Sequence, residues 1–303
     1  MNEEIKQLAI IGPTASGKSD LAIKIALQID AYILSIDSLS IYKEIDIVSA
    51  KPSKEELNAV KHFGINVLNP DEYFSVDIFI DLYRQALKEC EQNGKNLIIV
   101  GGTSFYLKTL LQGLSRLPKI TQDNKNAVEK RLKNLEECYS FLRELDPEYM
   151  TKINSKDSYR MEKALLIYEA SKLSATEWFA KNPPKPIIEN LDIFNIDVDR
   201  KLLRMRIAKR STKMLNMGLI DEICYLEQKY TRLPHAMGSI GIVEVLEYLD
   251  NKVTKDEMLE NISIHTGQLA KRQQTFNRTQ FENITHAPLE ELEDIILQSL
   301  KNA

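Results

Sequence analysis

An apolar run, Leu8-Ala9-Ile10-Ile11, leads straight into Gly12-Pro13-Thr14-Ala15-Ser16-Gly17-Lys18-Ser19. This is a phosphate-binding loop in its proper setting, with a strand before it and a helix after it. The loop works through backbone geometry. Gly12 and Gly17 allow the chain to fold tightly, so that successive N–H groups converge on phosphate oxygens. Lys18 adds a positive point charge, the Ser19 hydroxyl suits a magnesium ion, and the N-terminus of the following helix favours anions. The pattern says that a di- or triphosphate binds. It does not say which one, nor what is done to it.

The chain around the loop alternates between strand and helix for its first third. Strands are expected at 8–11, 32–36, 65–68 and 97–100, and helices at 18–28, 53–62, 75–92 and 104–112. Ser53 with Glu56 three residues later reads as a capping box. The run Leu97-Ile98-Ile99-Val100 is apolar throughout, which places it inside a sheet covered on both faces. After Gly113 the character changes to helical periodicity over 121–180, with Leu132, Leu135, Phe141, Leu142 and Leu145 as an apolar stripe. Asn182-Pro183-Pro184-Lys185-Pro186 cannot be helical and reads as a linker. A further strand is expected at 193–198, and helices at 200–229, 238–249, 254–281 and from 288 onward. The expected architecture is therefore α/β, a P-loop NTPase-like parallel sheet core (1–113 and 190–303) with a helical insertion domain at 114–189.

Charge and cysteine usage narrow the function classes. The formal net charge is −4, yet basic residues cluster. Arg200, Lys201, Arg204, Arg206, Lys209, Arg210 and Lys213 follow one another with no acidic residue between them. Arg116, Lys119, Lys125, Lys130, Arg131 and Lys133 face only Asp123 and Glu129. Such clusters either form solvated helix faces or build a surface for a polyanion. Cys90, Cys138 and Cys224 are widely spaced and suit buried free thiols in a reducing cytosol. No signal peptide or membrane span is expected, and the four scattered histidines do not suggest a metal site.

Ligands of open α/β sheets bind beyond the carboxyl ends of the strands. Besides the phosphate loop, two such ends carry chemistry, Asp37 after the second strand and Thr103 after Gly101-Gly102. If the strands are neighbours, both face the cavity onto which the loop opens. Asp37 can act as a general base or hold magnesium through water, or form an Asx turn; Thr103 can supply an orienting hydroxyl or cap a helix. A Walker-type NTPase usually follows an apolar strand with a magnesium-holding Asp. Here the strand at 97–100 ends in glycines, which counts against a motor or switch ATPase.

Beyond the loop, the chain resembles the tRNA dimethylallyltransferase family, the bacterial tRNA isopentenyltransferases related to plant adenylate isopentenyltransferases. The resemblance is carried by Asp37-Ser38-Leu39-Ser40-Ile41-Tyr42, by Asp46-Ile47-Val48-Ser49-Ala50-Lys51-Pro52 and by Val100-Gly101-Gly102-Thr103. It continues through Gly113-Leu114-Ser115-Arg116-Leu117-Pro118, Asp146-Pro147, Arg160 with Ala164-Leu165, and Met214-Leu215 with Gly218-Leu219. Ile240-Gly241 and Gln268-Leu269-Ala270-Lys271-Arg272-Gln273 complete it. The sequence departs from the family pattern at Val48-Ser49 (usually Gly-Thr), Gly267 (Arg), Ile242 (Tyr) and Phe276 (Trp). None of these touches the loop, Asp37 or Thr103.

The resemblance implies transfer of a dimethylallyl group from dimethylallyl diphosphate to the N6 amine of an adenine next to the tRNA anticodon. It implies Asp37 as base, Thr103 as positioner of the amine or bridge to the leaving group, Lys18 and Arg210 as clamps on the leaving diphosphate (with Arg206 the alternative), and magnesium near Ser19. The acceptor side implied is Asp37, Ser38, Leu39, Ser40 and Thr103 along the path of the extruded base. Lys125 and the stretch Arg160-Met161-Glu162-Lys163-Ala164-Leu165 are implied along the anticodon stem-loop. Lys271, Arg272 and Arg278 on the last long helix are a further candidate surface. A monomeric, cytoplasmic chain is expected. Three other readings share the loop: a small-molecule phosphotransferase, a nucleotide-gated RNA-binding protein, and an enzyme prenylating free AMP or ADP. The basic insertion favours a macromolecular acceptor.

Overall fold

The computed structural model describes residues 5–302. The elements are β1 (Gln7–Ile11), α1 (Lys18–Gln28), β2 (Ala31–Ser35), α2 (Lys54–Ala59), β3 (His62–Phe63), α3 (Val76–Asn93), β4 (Asn96–Gly101) and α4 (Ser104–Gln112). Next come α5 (Gln122–Leu132), α6 (Leu135–Leu145), α7 (Pro147–Met150), α8 (Ser158–Ser171) and α9 (Ala175–Lys181). The chain finishes with β5 (Asp192–Asp197), α10 (Arg200–Asn216), α11 (Leu219–Tyr230), a short 3-10 turn at His235–Gly238, α12 (Ile242–Leu249), α13 (Lys255–Gln280), β6 (Ile284–Pro288) and α14 (Leu289–Asn302).

The six strands form one sheet in the order β3-β2-β4-β1-β5-β6. Every pairing is parallel. In β4, Leu97, Ile98, Ile99 and Val100 are all buried, because an interior parallel strand has covered faces on both sides. One face packs Leu8, Ile10, Ile33, Ile98, Phe194 and Ile196 against Leu21, Ala22 and Ile25 of α1 and Leu292 and Ile296 of α14. Local signals explain where the helices start. Ser53 and Glu56 form the capping box of α2, Ser75 caps α3, and Asp199 accepts from the Lys201 and Leu202 N–H groups at the head of α10.

Register explains why the three chemical strand ends meet. Ser35 lies opposite Val100, and Ile11 lies opposite Gly101. The phosphate loop, Asp37 and Thr103 therefore all emerge from the same carboxyl edge of three adjacent strands.

Residues 1–110 with 188–303 form one compact unit, and residues 111–187 form another. The second unit consists of α5 to α9 around its own core, which includes Val128, Leu142, Met150, Met161 and Leu165. Leu142 of the anticipated stripe is in that core, while Leu135 is 38% exposed.

Several expectations require correction. The strand at 65–68 is not formed. β3 is His62–Phe63, and Gly64 and Asn66 with positive φ turn the chain away, leaving a single bridge from Leu68 to Tyr42. The helix at 200–229 is two helices, broken at Gly218, whose φ of +98° lies in the left-handed region. The edge strand β6 went unforeseen because its short polar run, Thr285-His286, carries no strand-like apolar alternation. Cys90 and Cys138 are buried thiols, but Cys224 is exposed on α11. Among the described residues, no helix is long and apolar enough to cross a membrane.

Candidate active site

The loop turns between β1 and α1 through left-handed backbone at Ala15 (φ 62°) and Gly17 (φ 94°). Gly12 and Pro13 are buried at its start, and Ser16 is fully buried beneath it. The φ of +94° at Gly17 strains any other residue, and a Cβ there, 2.7 Å from Leu289 Cδ2, would also displace the tip of that leucine. Lys18 is buried, and its Nζ donates to Pro13 O at 3.2 Å. Burial pushes the Lys18 ammonium down to about 8, against the favourable charge of Asp37 and with the opposing charge of Arg210. Ser19 is exposed at the mouth of the loop.

Two arginines of α10 brace the loop from the opposite side. Arg210 Nη1 donates to Thr14 Oγ1 at 3.2 Å, and Nη2 reaches Ser49 O at 3.5 Å. Arg206 Nη1 donates to Ser16 O at 3.2 Å. Burial lowers the Arg210 pKa, and the Asp37 carboxylate works against that. Asp37 is thus the anionic counterpart of the buried Lys18 and the half-buried Arg210.

Asp37 also shapes its own segment. Its Oδ1 accepts the N–H groups of Leu39 at 2.9 Å and Ser40 at 3.2 Å. The Asx turn engages one carboxylate oxygen only, and the second takes no hydrogen bond from the described residues. Thr103 Oγ1 donates to Ser38 Oγ at 3.4 Å.

These groups converge on a cavity of about 280 Å³. Thr14, Lys18, Asp37, Ser38, Leu39, Thr103 and Arg210 all line it. Ser40 is buried behind that wall and offers only its backbone N–H to Asp37. A second cavity of about 680 Å³ is lined by Ala15, Gly17, Lys18, Ser19, Arg206, Arg210 and Lys213. The two share Lys18, Arg210 and Met214 as common wall. The chain thus offers a cationic chamber and a smaller, mixed chamber on either side of the loop lysine.

The donor set suits a hard cation. Ser19, Asp20 and Asp46, whose side chains carry oxygen, are among the residues lining the larger cavity, and oxygen is what magnesium prefers. Among the described residues no group of three or more His, Cys, Asp or Glu is placed to hold a metal. A cation there would draw most of its ligands from phosphate oxygens and water.

Lys125 is exposed on α5 and Arg160 on α8, where Arg160 pairs with Asp157 at 3.0 Å. Glu162 and Lys163 are half-buried. Met161, Ala164 and Leu165 correct the expectation for this stretch: at 0%, 3% and 0% exposure they are core. Helical spacing turns them inward, so their side chains cannot touch nucleic acid.

Three residues that build the site were not singled out individually from sequence. Gln273 of α13 accepts the Thr14 N–H at 2.8 Å. Glu222 of α11 accepts the N–H groups of Asp46, Ile47 and Val48 at 2.9, 2.7 and 3.0 Å. Lys51 donates to Tyr42 O, Asp46 Oδ1 and Asn66 Oδ1 at 2.6, 2.7 and 2.6 Å. Glu222 and Lys51 hold the 46–51 segment so that the Ser49 carbonyl meets Arg210. The Ala50-Lys51-Pro52 tripeptide hinted at Lys51, and nothing local hinted at Glu222.

Comparisons with known proteins give the family and the fold. A family model described as IPP transferase matches residues 40–280. A tRNA dimethylallyltransferase of Sulfurimonas denitrificans is 69% identical over 294 residues, covering 97% of this chain and 99% of that protein. The crystal structure of the full-length tRNA isopentenylpyrophosphate transferase of Bacillus halodurans matches with a TM-score of 0.71 at 27% identity, covering 99% of this chain and 98% of that one. A eukaryotic dimethylallyltransferase crystallised acting on tRNA shares the fold at a TM-score of 0.83 and 24% identity, covering 98% of this chain and 78% of that one.

Proposed function

Because this chain belongs to the IPP transferase family, we propose that it moves a dimethylallyl group from dimethylallyl diphosphate to the N6 amine of the adenine adjoining the anticodon of tRNA. The observation that carries the chemistry is the meeting of Lys18, Arg210, Asp37 and Thr103 in the wall of one cavity. An aromatic amine is a weak nucleophile, since its lone pair is delocalised into the ring. It needs a base for its proton and a well-stabilised leaving group.

The loop N–H groups, Lys18, Arg206 and Arg210 receive the diphosphate from the larger cavity. The adenine, extruded from its stack, enters the smaller one beside Asp37, Ser38, Leu39 and Thr103. The N6–C1 bond forms as the C1–O bond breaks. The electron pair of that bond leaves with the diphosphate, and the N6 proton passes to Asp37. Lys18 and Arg210 meet the growing charge on the leaving group, and cations held close to the reacting centre in advance are the efficient form of electrostatic catalysis. Magnesium held by Ser19 and the phosphate oxygens would neutralise further charge on the leaving group. Thr103 orients the amine. Lys125, Arg160 and Lys163 take phosphates of the anticodon stem-loop, supplying affinity but no base choice. The chain acts as a monomer, in the cytoplasm where its acceptor is found.

The deciding measurement is the mass of an anticodon fragment before and after incubation with protein, magnesium and dimethylallyl diphosphate. A gain of one five-carbon unit on adenine is expected. Release of ADP from ATP without tRNA would replace this reading with phosphotransfer.

A further inference from the structure

Gln273 lies far along the chain from the loop, yet its side chain fills the gap between the loop and the end of β4. Its Oε1 accepts the Thr14 N–H at 2.8 Å. On its other side, a Cβ at Gly102 would lie only 2.3 Å from its Nε2 and 3.1 Å from its Cδ. The absence of a side chain at Gly102 is what admits the amide. Thr14 is held a second time through its hydroxyl by Arg210, and Thr103 directly follows Gly102. On α13, Ile262, Thr266, Leu269 and Gln273 share one helical face along the cavity wall. Gln273 is the polar end of that face.

We infer that Gln273 is a positioning residue, setting the spacing between the phosphate loop and the Gly102–Thr103 end of β4 and so the alignment of leaving group and amine. The inference rests on the prenyl-transfer reading above. Gln273 holds the frame that the reacting groups stand on. Diphosphate affinity stays with Lys18, the remaining loop N–H groups and the arginines. In-line displacement is the step that suffers when the frame shifts, since a misplacement of ~1 Å can cost ~10²-fold.

The test uses Gln273→Leu, Gln273→Glu and Gly102→Ala in the full chain. Leucine keeps the bulk and removes the acceptor. It should lower kcat by ~10²-fold, with the KM for dimethylallyl diphosphate and the thermal midpoint little changed. Exchange of the Thr14 amide hydrogen, read without any substrate, should quicken. Glutamate still accepts from Thr14, so kcat should recover, while its charge beside the loop raises the donor KM. Gly102→Ala presses on the same amide from the opposite side. It should reproduce the kcat loss, and the double variant with Gln273→Leu should be no worse than either single one. The inference is overturned by an unchanged kcat in Gln273→Leu, by a raised donor KM with kcat intact, or by a loss that follows the thermal midpoint without faster Thr14 exchange. If the wild-type protein leaves tRNA unmodified, prenyl transfer itself is refuted. The exchange comparison then still decides whether Gln273 holds the loop.

Discussion

Asp37 has two tasks that a single substitution can separate. Its Oδ1 ties down the Leu39 and Ser40 N–H groups, while the carboxylate charge faces Lys18 and Arg210. Asp37→Asn keeps an acceptor for the turn and removes the base. Turnover should fall ~10²-fold or more with tRNA affinity and thermal midpoint retained, and a near-normal rate would exclude Asp37 as the base. Asp37→Ala should lose about 1 kcal/mol of stability as well, measurable by urea unfolding. Lys18 makes a second prediction. Burial lowers its pKa from 10.5 to about 8, so the ammonium proposed to attract diphosphate is fully present only below that pH. Pyrophosphate affinity, followed by calorimetry, should weaken as pH rises through about 8, and a Lys18→Met variant should lose that step and keep only the change due to the titration of pyrophosphate itself. The sign for folding is opposite. Between about 8 and 10.5 the unfolded chain holds a proton that the folded chain has released, so this group's contribution to stability rises with pH across that window.

At the scale of elements, local chemistry and long-range contacts divide the work. The capping box at Ser53, the Ser75 cap and the apolar run of β4 are local; α3 and β4 form where the sequence suggests, and α2 starts there but stops at Ala59, short of the expected 62, because His62 is drawn into β3. β3 and β6 are edge strands whose pairing depends on neighbours rather than on their own composition. The break at Gly218 needs backbone that only its φ reveals. The segment at 46–51 is the clearest long-range case, since one carboxylate, Glu222, satisfies three of its N–H groups from α11. Glu222→Ala leaves all three without that partner. It should cost on the order of 2 kcal/mol and loosen the Ser49 carbonyl from Arg210. Thermal unfolding should read the first effect and a raised donor KM the second. Glu222→Gln should be milder, because it still accepts hydrogen bonds.

For the whole molecule, the two compact units imply separable effects on kinetics. Core variants near Lys18 and Asp37 should change kcat or donor KM. Charge reversal at Lys125 in the 111–187 unit should instead weaken tRNA binding, leave the donor KM unchanged and reduce the salt slope by about 1. Affinity titrations across a salt series test this. An unchanged slope would mean that Lys125 contacts no phosphate.

The loop motif, the strand ends and the basic clusters are legible in the chain because each depends on residues adjacent in sequence, and backbone geometry leaves them few alternatives. Sequence therefore determined the α/β core, the glycine-bearing loop between β1 and α1, and the family. Periodicity alone did not distinguish the exposed Arg160 from the buried Met161, Ala164 and Leu165, because a whole short motif was read as one surface. Only the tertiary structure placed Gln273 on the Thr14 amide and Glu222 under the 46–48 backbone. Such contacts join residues separated by more than a hundred positions. What creates them is helix packing and strand register, which no local run of residues encodes.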